Sequence, residues 1–237
     1  MRNLIRADLR RITGKPGLYL LPALALIATV ASKTADSASN QMDMMRQMVG
    51  TVFLLGSLIP VFISVYGDEL KSGVLINIIG RGMARRKIIF AKLLDSAILL
   101  LLLYSAAFLA VIVRNLFTDL AITPKQYLHL YIFCIYCVIR GVGYLALSSL
   151  AVFLAWNASG GMFILIVADL FSKMFLMVAQ DKLKFPVYDM SFEGLLESSY
   201  AGIRAGETGW QLIPALLIFL AVVAVNVITF DRKEIDL

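Results

Sequence analysis

The stretch GDELKSGVLINIIGRGMARRKIIFAKLLD, from Gly67 to Asp95, is a polar and basic segment that lies between two long hydrophobic runs. Apolar residues at helical spacing predict a short amphipathic helix over Glu69 to Ile79. Gly80 and Gly82 are expected to end this helix before the next apolar run begins. The basic residues of the stretch are Lys71, Arg81, Arg85, Arg86, Lys87 and Lys92. A surface helix held between two hydrophobic runs indicates a contact with another protein.

The composition of the whole chain is typical of an integral membrane protein. Of its 237 residues, 60% are hydrophobic and only 16% are charged, whereas about a quarter of the residues in soluble domains are charged. The mean hydropathy of +0.83 agrees with this interpretation. The formal net charge of +6 is not accompanied by a basic surface interleaved with aromatic residues, so nucleic acid is not a predicted partner. Two cysteines are too few for a disulfide framework.

Six apolar runs are close to the ~20 residues that cross ~30 Å of hydrocarbon. We predict an all-α integral membrane protein, a single transmembrane domain over residues 1–237, with six transmembrane helices. The predicted spans are residues 17–32, 48–66, 93–113, 126–154, 160–179 and 210–230. Pro60 is expected to kink the second span. Residues 180–209 are too apolar for a plain loop and are expected to form short helices on the outer membrane surface.

Residues 1–15 predict a helix that lies in the membrane interface. Arg2, Arg6 and Arg10 share one helical face, and apolar residues occupy the other face, where Asp8 intrudes. The alternative is the charged first part of a signal peptide, followed by an apolar core and small residues near a cleavage point. A polytopic membrane protein needs no cleaved signal, which favours the interfacial helix.

The distribution of basic residues predicts that both termini are cytoplasmic. Lys and Arg are enriched in residues 1–15, in the stretch from Gly67 to Asp95 and in the tail after the last span, compared with the connections on the other side. Cytoplasmic connections of membrane proteins carry this excess. The sequence therefore predicts a multi-pass membrane protein with the quoted stretch on the cytoplasmic side.

The sequence carries no pattern expected of a catalytic site. It has no G-x-x-x-x-G-K-[ST] motif, so the chain is not expected to bind nucleotide phosphates itself. His129 is the only histidine, which argues against His-based metal sites and catalytic dyads and leaves it as an interfacial polar residue. Cys134 and Cys137 form C-x-x-C inside the fourth span, and without further ligands we interpret them as packing residues. The chain is therefore predicted not to be an enzyme and to hold no cofactor or metal.

Three charged residues lie inside the predicted spans. Arg140 is near the middle of the fourth span, and Asp169 and Lys173 are one helical turn apart in the fifth. Charges at membrane depth are costly and usually face a bundle interior or a watery cavity. Asp169 can pair with Lys173 at i,i+4 or with Arg140 of the neighbouring span, and Gly141 and Gly143 allow close helix approach beside Arg140. Both a structural clamp and a role in a translocation path are open for the three charges.

The order of the features along the chain is distinctive. A basic interfacial helix leads into six spans, and the loop after the second span carries E-x-x-x-G at Glu69 to Gly73. A G-R-G-x-x-R-R-x-x-x-x-x-K run follows at Gly80 to Lys92, and short outer helices precede the last span. Over essentially the whole chain, this layout resembles the type-2 ABC permease family, the membrane subunits of ABC exporters.

The resemblance implies a separate ATPase partner. Residues 67–92 would be a cytoplasmic coupling segment that docks on this ABC ATPase, and Arg85, Arg86 and Lys87 would hold the segment at the anionic inner leaflet. ATP and Mg²⁺ would bind only the partner. The implied coupling residues are Glu69, Leu70, Ser72, Gly73, Leu75, Ile76 and Arg81.

The resemblance also implies an assembly, a location and a substrate class. The bend at Trp156 and Asn157 would make a second contact with the ATPase. Two permease copies, expected as a homodimer, would enclose a path near spans one, two and five in a bacterial cytoplasmic membrane. Without a large outer domain, the chain is most similar to exporters of antimicrobial or amphipathic toxin peptides, and lipids or drugs are alternative substrates. A membrane anchor or signalling subunit is a rival function, whereas the single histidine and the lack of clustered acidic residues inside spans disfavour an intramembrane enzyme.

Overall fold

The structure, a computed structural model, describes residues 2–32, 37–80, 82–118 and 120–232, with all of their side chains except those of residues 2–4 and 76. Within these ranges the chain is helical and contains no β-strand. The helices are α1 (Arg2–Thr13), α2 (Gly17–Ala31), α3 (Ala38–Lys71), α4 (Val74–Gly80), α5 (Arg85–Leu116), α6 (Pro124–Ala155), α7 (Ala158–Leu183), α8 (Phe192–Ala205) and α9 (Leu212–Arg232). The predicted all-α fold is therefore confirmed for the described residues.

Five of the helices are long and apolar enough to cross a membrane. They are α3, α5, α6, α7 and α9, with 34, 32, 32, 26 and 21 residues. The pair α1 and α2, bent by 61° at the break between them, counts as a sixth crossing if the two helices are taken together. By itself, α2 has 15 residues and a length of about 22 Å, which is shorter than a hydrocarbon layer of about 30 Å. The described chain is thus suited to several membrane crossings.

Local signals in the sequence set the boundaries of the later helices. Thr123 and Gln126 form a reciprocal capping box at the start of α6, where Pro124 occupies the first turn. The side chain of Ser191 accepts a hydrogen bond from the backbone N–H of Gly194 and starts α8. That helix ends at Gly206, whose φ of +88° is in the left-handed region that favours glycine. These caps therefore fix where α6 and α8 begin and where α8 ends.

α3 is longer than the span predicted over residues 48–66, because polar residues before that span are also helical. Ser37 caps the first turn of α3, and Met42 and Met45 are buried in the core. The helix continues through Pro60, the position of the predicted kink, and has one π-helical turn on either side of it. Burial of the two methionines therefore extends the helix beyond its most apolar part.

α6 lies at the centre of the bundle and contacts α3, α5, α7, α8 and α9. Large buried side chains fill the space between the helices, among them Phe53, Phe62, Tyr104, Phe153 and Phe230. α7 and α9 are peripheral, because only 11% and 17% of their most apolar windows are buried, against 61% for α3 and α6. The outer faces of α7 and α9 therefore suit contact with lipid or with a second chain.

α8 packs lengthwise against α6, although the sequence places residues 180–209 on the outer membrane surface. Phe192, at the start of α8, lies on Gly143, where an added Cβ would come within 2.3 Å of the phenylalanine ring. Tyr200, near the other end of α8, donates to the backbone oxygen of His129 at 3.4 Å. α8 thus runs antiparallel to α6 and belongs to the bundle, because the glycine allows its first turn to approach closely.

Candidate functional site

A buried cluster of charged side chains joins α1, α3 and α5. Lys92 of α5 donates to Asp8 at 2.6 Å and to Glu69 at 2.5 Å. The side chains of Lys92 and Glu69 are each 1% exposed, and Arg11 of α1 also pairs with Glu69. Asp8, which intrudes on the apolar face of α1, therefore has a buried cation as its partner. We call these four residues the α5 cluster.

The α5 cluster holds α1 against the C-terminal end of α3 and the first turns of α5. Removing one partner from a buried ion pair typically costs about 3–5 kcal/mol, because the other charge is left uncompensated. A more exposed pair, Lys15 with Asp68 at 2.5 Å, joins the turn after α1 to α3. Lys92, which the sequence assigns to the cytoplasmic segment of residues 67–92, is therefore a core residue of α5.

The structure buries several of the predicted coupling residues. Glu69 and Leu75 are only 1% and 4% exposed, and Leu70 packs against the hydrophobic core. The carboxylate of Glu69 is held by Lys92 and Arg11. The bundle therefore covers the side chain of Glu69, and contact of Glu69 with a partner stays a prediction.

An exposed turn remains between α3 and α4. Lys71, Ser72 and Asn77 are exposed, and Gly73 has a φ of +66°, which other residues rarely adopt. We call these four residues the coupling turn, since they belong to the predicted coupling segment and lie where α3 passes into α4. Two further predicted positions lie outside the described side chains, Ile76 and Arg81.

Basic residues at the start of α5 hold the end of α9. Arg85 donates to the backbone oxygen of Phe230 at 2.7 Å, and its guanidinium carbon lies 5.5 Å from the centre of that ring. Arg86 pairs with Asp231 at 3.0 Å. Cations also interact favourably with the C-terminal end of a helix dipole. Two of the three predicted membrane anchors thus have protein partners, while Lys87 is exposed.

The bend between α6 and α7 lies at the same end of the bundle. Trp156 has a φ of +52°, and its ring stacks on Phe230 with centroids 6.2 Å apart. Asn157 is exposed, and its side chain accepts a hydrogen bond from the backbone N–H of Ser159 at 2.9 Å, which starts α7. The bend and the ends of α5 and α9 are therefore joined here. Contact of Trp156 and Asn157 with a partner stays a prediction.

A second charged cluster lies between α6, α7 and α8. Arg140 of α6 pairs with Glu193 of α8 at 2.9 Å and lies 3.6 Å from Asp169 of α7. Glu193 also accepts hydrogen bonds from Tyr144 at 2.9 Å and from Ser172 at 2.7 Å. Its carboxylate is thus held by donors from two helices that flank α8.

Lys173 does not pair with Asp169, the partner that helical spacing suggests. It pairs with Glu197 at 2.6 Å, and Glu197 also accepts a hydrogen bond from Tyr188 at 2.5 Å. Burial alone raises the pKa of Glu197, but the hydrogen bonds from Lys173 and Tyr188 bring this pKa below its ordinary value. The pair is therefore ionic at neutral pH, and it is open to its surroundings, since Lys173 is 43% and Glu197 is 51% exposed.

Sequence reasoning missed Glu193 and Glu197. Both lie in residues 180–209, which the sequence places on the outer membrane surface, away from the charges inside the spans. Their spacing of four on an amphipathic helix was the available signal. The structure brings these two acids together with all three predicted intramembrane charges, and we call the five residues the α8 cluster, Arg140, Asp169, Lys173, Glu193 and Glu197.

The described residues contain no group of His, Cys, Asp and Glu side chains placed to hold a metal ion. Cys134 and Cys137 are buried free thiols. Comparisons with family models, with curated proteins and with solved structures gave no match. A function for the chain therefore has to be inferred from its two charged clusters, its coupling turn and its membrane-crossing helices.

Proposed function

We propose that the chain is the permease subunit of an ABC exporter, with six membrane spans and both termini on the cytoplasmic side of a bacterial membrane. The observation that carries this proposal is the exposed ion pair between Lys173 and Glu197, which borders the long apolar helix α7. A chain that only anchored a partner would have no use for exposed charges at this position.

The depth of Lys173 in α7 supports a water-filled path. It lies about 22 Å along the helix from Ala158, and therefore within a hydrocarbon layer of about 30 Å that begins near the first turn. Charges at this depth ordinarily face a protein interior or water rather than lipid. Lys173 is 43% exposed and Arg140 is 22% exposed, so water is the surrounding that their chemistry favours.

The opposite end of the bundle supports the proposed topology. Glu69 joins the end of α3 to α1, and Arg85 joins the start of α5 to the end of α9. The first and last described helices therefore meet the coupling segment at one end. The basic residues of this end favour the cytoplasm, which leaves the coupling turn facing a cytoplasmic ATPase.

The α5 cluster offers a route by which movement of the ATPase reaches the path. The coupling turn continues directly into α3, and Glu69 connects α3 to Lys92 of α5. At its other end, α3 contacts α8 through a hydrogen bond from Arg46 to Tyr200 at 3.0 Å. A shift of α3 would therefore move α8 relative to α6. ATP and Mg²⁺ bind the partner in this mechanism, and this chain transmits the motion.

A second copy of the chain completes the path in this proposal. On α7, exposed phenylalanine and methionine side chains lie within about 100° of Lys173 around the helix, and these are Phe163, Met174 and Met177. Methionine and aromatic surfaces adapt to varied apolar shapes. An amphipathic or antimicrobial peptide is the proposed substrate, because the path would offer both charged and adaptable apolar surface. A lipid or a drug is the alternative substrate.

Reconstitution tests the proposal. Vesicles that contain the chain and the ATP-binding-cassette protein encoded beside it are expected to show stimulated ATP hydrolysis and ATP-dependent peptide uptake into inverted vesicles. The double variant Lys173→Gln and Glu197→Gln should reduce transport severalfold, whereas Lys125→Gln, at an exposed position at the start of α6, should not. Binding of the ATPase without transport by the unmodified chain would support the rival anchoring function and contradict the proposal.

A further inference from the structure

A trench of about 470 Å³ lies between α3, α6 and α8. α6 forms its floor with side chains about one turn apart, Phe133, Tyr136 and Arg140. α3 and α8 form the two walls. The volume is in the range of about 300–1,000 Å³ that is usual for small-molecule sites. The trench is therefore large enough for the head of an amphiphile.

The trench opens sideways. Gln47 and Thr51 on α3, and Ala201 and Arg204 on α8, line it and are all exposed. On each wall, the two exposed residues are about one helical turn apart, so the trench is open along this length. A ligand can therefore enter it from the side. In the proposed topology that side faces the membrane or the path.

The height of the trench matches the outer boundary of the hydrocarbon. About 30 Å of helix, measured back from Tyr66 near the inner end of α3, places Arg46 at that boundary. The same length measured from Ala155 at the inner end of α6 places Arg140 about 7 Å inside it. The glycerol esters of outer-leaflet lipids lie at this boundary and their phosphates just outside it, so Arg46 lies at the level of the esters and Arg140 at the level of the first acyl carbons.

Guanidinium groups give the trench spare hydrogen-bond donors. Arg46, Arg140 and Arg204 line it, and each guanidinium carries five N–H groups. Within the described chain, Arg204 approaches only Asp43, at 3.5 Å. Arg46 shares the same carboxylate and donates to Tyr200. Two arginines at the mouth thus share one acid and retain donors for a further acceptor.

Three carboxylates line the trench, those of Asp43, Glu193 and Glu197, and they have less capacity left. Asp43 is paired with both Arg46 and Arg204. Glu193 accepts hydrogen bonds from Tyr144 and Ser172 and pairs with Arg140. Glu197 is engaged by Lys173, which does not itself line the trench. The groups in the trench that can still form hydrogen bonds are therefore mainly donors, the guanidinium N–H groups. A ligand with anionic oxygen acceptors would satisfy them.

We infer that the trench binds the head of a membrane phospholipid, with the phosphate between Arg46 and Arg204 and the glycerol esters just below the phosphate, on the side of Arg140. The aromatic and apolar side chains of Phe133 and Ala201 then flank the first part of the acyl chains, which leave through the open side. This inference rests on the membrane topology of the proposed function, because that topology sets the trench at the outer boundary of the hydrocarbon. A free phosphate would leave the apolar part of the trench unused.

Native mass spectrometry of the full chain in a neutral maltoside detergent tests the inference. The ligands are dioleoyl phosphatidylglycerol, dioleoyl phosphatidylethanolamine, dioleoylglycerol and inorganic phosphate. Both phospholipids are expected to bind, at about one molecule per chain. Dioleoylglycerol, which lacks the phosphate, should bind at least tenfold more weakly, since a bond between charged groups is worth about that factor. Inorganic phosphate should not displace the phospholipid.

Two variants localise the binding. Arg204→Gln removes an exposed donor without threatening the fold and should weaken phospholipid binding about tenfold. Ala201→Leu should weaken it by occupying the trench. Ser198→Leu, at an exposed position on another face of α8, should leave it unchanged.

Equal binding of dioleoylglycerol, displacement by inorganic phosphate, or unchanged binding by Arg204→Gln and Ala201→Leu would each overturn the lipid site. The measurement uses neither an ATPase nor transport. Its failure therefore leaves the export proposal standing, and failure of transport in reconstituted vesicles leaves an observed lipid site in place.

Discussion

The α5 cluster is centred on a buried lysine that pairs with two acids, whereas the α8 cluster includes an exposed pair of a lysine and an acid. Lys92 is 1% exposed between two carboxylates that are 9% and 1% exposed. Lys173 and Glu197 are 43% and 51% exposed. A buried ion pair fixes helices against one another, whereas an exposed pair at membrane depth requires water beside it. Burial, rather than the presence of a charge in an apolar sequence, thus separates a structural role from a role in the path.

The largest effect is expected at the centre of the α5 cluster. Lys92→Met leaves Asp8 and Glu69 as buried carboxylates without their shared cation, and should lower the free energy of unfolding by about 3–5 kcal/mol. Thermal unfolding in detergent measures this change. Lys87→Met is the matched control, because Lys87 is exposed on the same helix. Equal melting temperatures for the two variants would contradict the structural role of the α5 cluster.

The packing of α8 provides the next test. Gly143→Ala should destabilise the chain by about 1–3 kcal/mol, because its Cβ enters the space of the Phe192 ring. Gly160→Ala, where nothing lies within 4 Å, should instead stabilise α7 by about 0.5–1 kcal/mol. Thermal unfolding compares the two. A shift of the same sign for both would show that α8 does not lie on α6 as described.

A smaller effect is expected at the hydrogen bond between Tyr136 and Ser199, whose oxygens are 2.6 Å apart. Tyr136→Phe removes this bond, while Ser199 keeps its bond to the backbone oxygen of Gly209. The loss should be about 0.5–1.5 kcal/mol in unfolding free energy. Tyr131→Phe, at a position 44% exposed, serves as the control in the same melting experiment and should change little. A neutral Tyr136→Phe would indicate that α8 is held by its ion pairs alone.

The smallest effect on stability is expected in the α8 cluster. Lys173→Gln breaks an exposed pair, and exposed pairs contribute about 0–1 kcal/mol. Melting should therefore barely change, while transport in vesicles should fall. If Lys173→Gln instead prevents folding, Lys173 is a structural residue like Lys92, and the proposed difference between the two clusters is wrong.

The sequence predicts the broad fold because long apolar runs and helix caps act locally. The runs locate α5, α6, α7 and α9. The predicted ends of α6, α7 and α9 lie within about four residues of the observed ones, whereas α5 begins at Arg85, before the predicted start at residue 93. The extension of α3 before residue 48 could not be read in this way, because it depends on Met42 and Met45 finding a core built by other helices. The prediction begins the span at residue 48 because the residues before it are polar, and it does not account for the burial of the two methionines.

The candidate site was predicted less completely, because its contacts join distant parts of the chain. Lys92 reads as one more basic residue of a surface segment, and only the approach of α1 and α3 shows that it is buried. In the same way, Lys173 has a partner at helical spacing in Asp169, but the return of the chain through α8 supplies Glu197 instead. Helical spacing shows which pairs can form, and tertiary packing decides which pairs do form.

Thiol labelling of α7 tests most directly whether the α8 cluster faces a water-filled path. Single cysteines are placed at Lys173 and, on the opposite face, at Phe175, which is 56% exposed. The native Cys134 and Cys137 are buried and should remain unreactive. In intact vesicles that contain the chain and its ATPase, a charged thiosulfonate reagent is predicted to modify Lys173→Cys but not Phe175→Cys. An unreactive Lys173→Cys, or equal reaction at the two positions, would contradict the account.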